Sequence, residues 1–188
     1  MNILRDFQTA GYDLFIAGLN NSHSGNMSVR NNRMMAITRS GSMLHRLDYN
    51  DIVETLIDGE DAETPRASRE RPVHRAIYQQ TDALAIVHAH PPQLIALSFF
   101  TDLFVPIDAE GRYFFPDGVP VIEVANAIAS EEVAARVSPL LARVPVVIVR
   151  GHGTFAIGTT LEDGFHHTSS LEHSARIASA YRVNSNLK

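Results

Sequence analysis

The chain has 188 residues, 45% of them hydrophobic and 20% charged, and its formal net charge is −5. This composition excludes a disordered or collagen-like chain and predicts a single domain over residues 1–188 with a sizeable core. The negative charge offers no general attraction to nucleic acid or to anionic membranes, so neither is expected as a partner. The chain has no cysteine, so any metal would have to be held by histidines and carboxylates.

The start of the chain does not look like a signal peptide, because Arg5, Asp6 and Asp13 interrupt its apolar residues. No other segment reaches the roughly eighteen uncharged apolar residues that a membrane span needs. We therefore expect a cytoplasmic protein.

Hydrophobic periodicity and turn residues predict alternating helices and strands along the chain. In chain order we expect a helix at 3–19, a hairpin of strands 27–30 and 34–39, a strand at 51–58, a helix at 73–81 that starts after Pro72, a strand at 83–90, a helix at 93–100, a strand at 120–125, a helix at 131–143 capped by Ser130, strands at 145–150 and 154–158, and a helix from Thr160 to about Tyr181. This order predicts an α/β fold, with helices flanking a mixed, mainly antiparallel central sheet.

Three histidines follow apolar strands in this scheme. His88 and His90 are two residues apart at a strand end, so their side chains point to the same face. His152 lies between Gly151 and Gly153, directly after another apolar strand. Three protein ligands that leave a position open are typical of catalytic zinc, so we predict a metal site at these residues.

Two further groups of residues have less specific patterns. Glu70 precedes a predicted helix and either binds the metal, acts as a base or is a solvated loop glutamate. Three loops contain the small polar residues that hold phosphates, but each is also an ordinary turn sequence. The loops are Ser24–Asn26, Arg39–Gly41 and Ser68–Arg69. The remaining histidines are expected on the surface or in the core.

Several segments together resemble the class II aldolase and adducin family, most closely its L-fuculose 1-phosphate aldolase branch. They are GLNNSHSGNMSVR, ITRSGSMLHRL, SRERPVHRAIY, AIVHAHPP and VIVRGHGTFAIG, and the resemblance runs from about residue 3 to residue 182. It implies a three-layer α/β/α sandwich that forms a homotetramer with active sites at subunit interfaces.

The resemblance also implies the roles of individual residues. Zn²⁺, or another divalent transition metal, would be bound by His88, His90, His152 and Glu70, and Glu70 would also be the catalytic base. The phosphate of a sugar substrate would be bound by Gly25, Asn26, Ser40, Gly41, Ser68 and Arg69. The aldolases have serine where this chain has Arg69. Either Tyr113 or Glu110 is expected to donate a proton to the aldehyde oxygen.

The implied reaction is cleavage of a ketose 1-phosphate to dihydroxyacetone phosphate and a short aldehyde, through an enediolate stabilised by zinc. The resemblance leaves three alternative functions open: a sugar-phosphate 4-epimerase, a methylthioribulose-1-phosphate dehydratase and a non-catalytic, adducin-like interaction module. The sequence contains neither GxGxxG nor GxxxxGK[ST], so no nucleotide or flavin is expected.

Overall fold

Eight strands form one sheet in the computed structural model, which describes residues 3–185. The strands are β1 Asn26–Asn31, β2 Met34–Thr38, β3 Ile52–Leu56, β4 Ala85–Ala89, β5 Leu103–Phe104, β6 Val119–Ile122, β7 Val146–Val149 and β8 Gly153–Gly158. The helices are α1 Ile3–Ile16, α2 Arg71–Gln80, α3 Pro92–Ser98, α4 Ala109–Phe114, α5 Glu131–Leu141 and α6 Leu161–Ser185.

The sheet is mixed and mainly antiparallel, as predicted. Its strand order is β3-β2-β1-β4-β8-β7-β6-β5, and only β6 and β7 pair in parallel. The central strand β4 lies between β1 and β8, with His88 opposite Asn26 on one side and Phe155 on the other. This register brings residues from distant parts of the sequence to one end of β4.

Helices cover both faces of the sheet, which confirms the expected three-layer sandwich. Side chains of α2 and α5 pack on one face, and those of α1, α3 and α6 pack on the other. Along β4 the buried side chains alternate, so that Ile86 joins the first core and Val87 the second. Both faces are therefore apolar, which explains why β4 appears in the sequence as an unbroken apolar run.

The helix boundaries follow from capping residues. Pro72 lies in the first turn of α2, and the Ser130 hydroxyl accepts a hydrogen bond from the Val133 N–H at the start of α5. Before α6, Thr160 and Asp163 form the reciprocal bonds of a capping box. Among the described residues, no helix has both the length and the apolar character needed to cross a bilayer.

Two elements were not expected from the sequence. β5 has only two residues, and α4 has six, which is too short for a periodic pattern to be recognised. The Asp108 side chain caps α4 by accepting a hydrogen bond from the Gly111 N–H. The helix at 93–100 was predicted too long, since α3 ends at Ser98, whereas α6 extends four residues beyond Tyr181.

Candidate active site

The three predicted metal ligands converge at one end of β4. His88 lies within β4, His90 follows it, and His152 lies in the turn between β7 and β8. One nitrogen from each ring can be chosen so that all lie within 4.8 Å of one another. The Nε2 atoms of His88 and His90 are 3.0 Å apart.

Local backbone features hold these rings in place. Gly151 has a φ of +68°, which lets the chain turn sharply before His152. A Cβ on Gly153 would overlap the Ala89 carbonyl, so glycine is needed where β8 starts beside β4. The His90 N–H donates to the Leu19 carbonyl and to Asn20 Oδ1, both at 2.9 Å, and thereby fixes the end of β4.

The protonation of the histidines suits metal binding. His88 Nδ1 lies 2.9 Å from the Thr154 carbonyl, which only accepts, so Nδ1 bears the proton and Nε2 is free to coordinate. Burial lowers the pKa of all three rings, that of His90 to about 4, so they are neutral at pH 7. Neutral imidazole is the form that binds metals.

Glu70 is buried beside this cluster, so the interpretation of a solvated loop glutamate is wrong. The residue is 5% exposed, and its Oε1 lies 4.0 Å from His152 Nε2. Oε1 accepts a hydrogen bond of 2.9 Å from the Ala129 N–H. Oε2 is buried and has no hydrogen-bond partner within residues 3–185. Burial raises the pKa of this carboxyl, although the Ala129 bond and the charge of Arg69 oppose the shift.

This donor set fits a divalent metal. Three imidazole nitrogens and a carboxylate are ligands that zinc accepts in a tetrahedral site. A buried carboxylate oxygen without a partner, Oε2, and two Nε2 atoms only 3.0 Å apart are both features that a nearby cation would stabilise. The residues present therefore agree with the expected metal.

The three predicted anion-binding loops are joined through Thr38. Its hydroxyl accepts a hydrogen bond of 3.2 Å from the Met27 N–H, and its carbonyl accepts one of 3.0 Å from the Ser68 N–H. The Ser40 N–H donates to the Arg66 carbonyl at 3.0 Å. The fold thus brings residues 25–27, 38–41 and 66–70 together.

The same loops adjoin the histidine cluster. Asn26 is opposite His88 in the sheet, and Ser68 Oγ accepts a hydrogen bond from the Glu70 N–H at 3.2 Å. Gly25 has a φ of +78°, and a Cβ there would overlap Asn20 and the His88 carbonyl. Arg69 is exposed next to Glu70.

Sequence reasoning missed three residues that support the site. Asn20 accepts a hydrogen bond from the His90 N–H, the Thr154 carbonyl accepts one from the His88 ring, and Ala129 donates its N–H to Glu70. Ala129 has a φ of +50°, which is rare for a residue with a side chain. Because the groups contributed by Thr154 and Ala129 are backbone atoms, their residue types carry no signal.

The two predicted proton donors lie elsewhere on the chain. Glu110 and Tyr113 are on α4, and Tyr113 is 80% exposed. α4 packs against α6, where a Cβ on Gly111 would overlap the Ser174 hydroxyl. Their role as proton donors stays a prediction.

Comparisons with known proteins agree with this site. A family model described as the class II aldolase and adducin N-terminal domain matches residues 5–179. The crystal structure of L-fuculose-1-phosphate aldolase from Thermus thermophilus superposes with a TM-score of 0.93 at 35% identity, covering 99% of this chain and 97% of that one. Methylthioribulose-1-phosphate dehydratase of Acidiphilium cryptum is 32% identical over 163 residues, which are 79% of this chain and 76% of the dehydratase.

A third relative is named for a different activity. The 3,4-dihydroxyphthalate decarboxylase of Rhodococcus jostii is 31% identical over 117 residues, or 60% of this chain. The match covers about half of that decarboxylase, 48% of its length. Since the family model spans most of the sequence, the chain belongs to the class II aldolase and adducin family, in which it is similar to the L-fuculose 1-phosphate aldolase branch.

Proposed function

We propose that this chain is a metal-dependent aldolase that cleaves a ketose 1-phosphate to dihydroxyacetone phosphate and a short aldehyde. The observation that carries the proposal is the buried Glu70 carboxyl beside the convergent rings of His88, His90 and His152. Burial raises the pKa of this carboxyl, and a raised pKa favours the protonated form that a proton donor to carbon needs. Glu70 is therefore suited to proton transfer at carbon.

The metal would be held by the three histidines, with Glu70 as a further ligand when substrate is absent. A divalent cation would supply Lewis-acid stabilisation of the negative charge that develops on the substrate oxygens. Zinc is the cation that the donor set favours. The neutral imidazoles add no positive charge that would repel this cation.

The chain's own residues account for the remaining steps. Cleavage of the C3–C4 bond leaves its electron pair on C3, while the C4 hydroxyl passes its proton to solvent through the predicted proton-transfer group, Tyr113 or Glu110, and C4 becomes the aldehyde carbon. Glu70 enters this step protonated and regains its proton from solvent after each turnover. Glu70 Oε2 would then deliver a proton to C3 and complete dihydroxyacetone phosphate. The Ala129 N–H holds Oε1, so the carboxyl has a fixed orientation during this transfer.

The phosphate would be bound by the joined loops. Gly25, Asn26, Ser40, Gly41 and Ser68 offer backbone N–H groups, hydroxyls and an amide, and Arg69 adds a positive charge. This binding holds the substrate at a group remote from the reacting carbons. It therefore fixes the position of C3 relative to Glu70.

A second candidate function is a dehydratase acting on methylthioribulose 1-phosphate. The relative from Acidiphilium cryptum supports it, because that protein carries this activity in its name. A 4-epimerase would use the same site and differ only in its products. The buried histidine cluster argues against a non-catalytic, adducin-like module, which would have no use for these residues.

Release of dihydroxyacetone phosphate from a panel of sugar phosphates tests the proposal. The panel contains fuculose, rhamnulose, 5-deoxyribulose and methylthioribulose 1-phosphates, each with and without a chelator. We expect release that the chelator abolishes and that zinc restores. Water loss without triose phosphate would instead establish the dehydratase, and an isomeric pentulose phosphate would establish the epimerase.

The homotetramer with shared active sites and the cytoplasmic location both stay predictions.

A further inference from the structure

A network of hydrogen bonds runs through the core from α2 to the first residue of β1. Tyr78 Oη lies 2.8 Å from Ser28 Oγ, which lies 2.7 Å from His74 Nδ1. On the other side of the ring, His74 Nε2 lies 2.6 Å from Asn26 Oδ1. Ser28 and His74 are fully buried, and Tyr78 is 3% exposed. The metal site described above uses none of these three residues.

The hydrogen bonds of this network all have the same direction, with each donor on the Tyr78 side and each acceptor on the Asn26 side. The Tyr78 hydroxyl has Ser28 as its only side-chain hydrogen-bond partner among residues 3–185, so its proton is satisfied only by donation to Ser28 Oγ. Ser28 must then donate to His74 Nδ1, which leaves the ring proton on Nε2. His74 Nε2–H therefore donates to Asn26 Oδ1.

The His74 ring keeps this arrangement over a wide pH range. Burial lowers its pKa to about 3, so the ring stays neutral, with one donor and one acceptor. Its packing edge-on to Phe155, at a centroid distance of 6.2 Å, restricts the ring from the side of β8. A neutral ring held between two partners fixes which end of the Asn26 amide faces it.

The free end of the Asn26 amide is its nitrogen. Within the described residues, Asn26 Nδ2 has no hydrogen-bond partner, although the residue is 6% exposed. Asn26 lies opposite His88, at the point where the Ser24–Asn26 loop ends and β1 begins. A flipped amide would present an oxygen there, and an oxygen repels an anion.

We propose that His74 is a positioning residue that, together with Ser28 and Tyr78, holds the Asn26 amide with its nitrogen toward the phosphate of the substrate. The inference rests on the proposed function, since it assumes that an anion binds at this loop. In this role the buried hydrogen-bond network does more than pack the core. It orients the Asn26 amide as a donor before the ligand binds. The site is thereby committed to groups that accept hydrogen bonds.

A double-mutant cycle on inorganic phosphate binding tests this role. Affinity is measured by isothermal titration on the zinc-loaded protein for wild type, His74→Leu, Asn26→Ala and the double variant. We expect His74→Leu to weaken binding several-fold, because the amide then samples flipped and other orientations in which it cannot donate to the phosphate. In the Asn26→Ala background, His74→Leu should change the affinity no further. A purely structural effect would add to that of Asn26→Ala.

A second variant protects the test against misfolding. Ser28→Ala removes the donor to His74 Nδ1 and lets the ring carry its proton on either nitrogen. It should weaken phosphate binding several-fold, and again only when Asn26 is present. Urea unfolding of each variant shows whether the fold is kept, and if His74→Leu does not fold, the Ser28→Ala cycle decides.

The outcomes separate this inference from the proposed function. If wild type and both variants bind phosphate equally, the positioning role is wrong while the anion site stands. Additive effects of His74→Leu and Asn26→Ala would also overturn it. If wild-type protein binds no phosphate, the anion site itself is wrong, and the inference fails with it.

Discussion

The two oxygens of Glu70 have different surroundings, and this difference underlies its proposed role. Oε1 is held by the Ala129 N–H, whereas Oε2 is buried without a partner among the described residues. An unpartnered carboxylate oxygen in the interior is costly unless it binds a cation or a proton. We therefore propose that this same atom would contact the metal in the resting site and carry the proton during the reaction.

Glu70→Gln tests this assignment. Glutamine keeps the shape and the bond to Ala129, but it cannot transfer a proton, so we expect kcat to fall about 10²- to 10⁴-fold. The KM should change little, because the phosphate loops are untouched. Glu54→Gln, at an exposed position of β3, is the matched control and should retain full activity. Near wild-type turnover of Glu70→Gln in a steady-state assay would refute the role of Glu70 as the base.

The buried His74 predicts a loss of stability in acid. Its pKa is about 3 in the folded chain and about 6.5 when unfolded, so below pH 6.5 the unfolded state binds more protons. The stability contribution is complete above pH 6.5 and is lost as the pH falls toward 3. Between pH 7 and pH 5, His74 alone should lower the free energy of unfolding by about 2 kcal/mol.

His74→Gln removes this titration while keeping a polar side chain. Urea unfolding at pH 7 and pH 5 should therefore show a smaller acid loss for the variant than for wild type. Metal-free protein is used for both, so that metal release does not contribute. An equal loss in the two proteins would mean that His74 is not held neutral by burial.

At the scale of elements, the sequence predicts long periodic segments well and short ones poorly. The apolar run of β4 and the capping residues Ser130 and Thr160 mark their elements clearly. β5 and α4 depend on tertiary contacts instead, such as the close packing of Gly111 against Ser174. A pattern with a period of two or 3.6 residues cannot be detected in two to six residues.

In the candidate site, too, residues with a local sequence pattern were predicted, whereas contacts that depend on tertiary packing were not. His88, His90 and His152 were predicted because strand ends and flanking glycines constrain where they point. The residue pattern alone leaves the role of Glu70 open, and the family resemblance is what assigns it, since the sequence does not show that the Ala129 N–H lies against the carboxylate. The hydrogen-bond network from Tyr78 to Asn26 joins α2 to β1. Which residues of the two elements meet depends on tertiary packing, which a single sequence does not reveal.

The close approach of β1 and β4 predicts that Gly25 tolerates no side chain. Gly25→Ala would strain a φ of +78° and would also overlap Asn20 and the His88 carbonyl. Gly18→Ala is the matched control, because Gly18 has a φ of +70° with open space around it. We expect losses of about 3 kcal/mol and about 1 kcal/mol, respectively, in urea unfolding. Equal losses would show that strand packing does not exclude a Cβ at Gly25.

For the molecule as a whole, the feature that bears on assembly is a cluster of exposed apolar side chains. It surrounds the groove between α3, β5 and α6, and its lining includes Leu97, Phe100, Leu103, Val105, Ile107 and Tyr181. Phe100 is 80% exposed and Tyr181 is 63% exposed. Exposed apolar clusters commonly mark protein interfaces, so this surface is a candidate contact in the predicted homotetramer.

Sedimentation velocity at micromolar concentration tests this assembly. We expect wild type to sediment as a tetramer, and Phe100→Ser to shift the distribution toward smaller species. Tyr49→Ser, at a position 81% exposed and remote in sequence, should leave the distribution unchanged. A monomeric wild-type protein would contradict the predicted homotetramer.

Zinc binding is the most direct test of the proposed activity, since the proposed reaction depends on the histidine cluster. Zinc is titrated calorimetrically into metal-free wild type and into His90→Ala. We expect one zinc per chain in wild type and an affinity at least about a hundredfold lower in the variant, which has lost one of three nitrogen ligands. Failure of wild type to bind zinc or any other divalent transition metal, or equal binding by His90→Ala, would contradict the proposed activity.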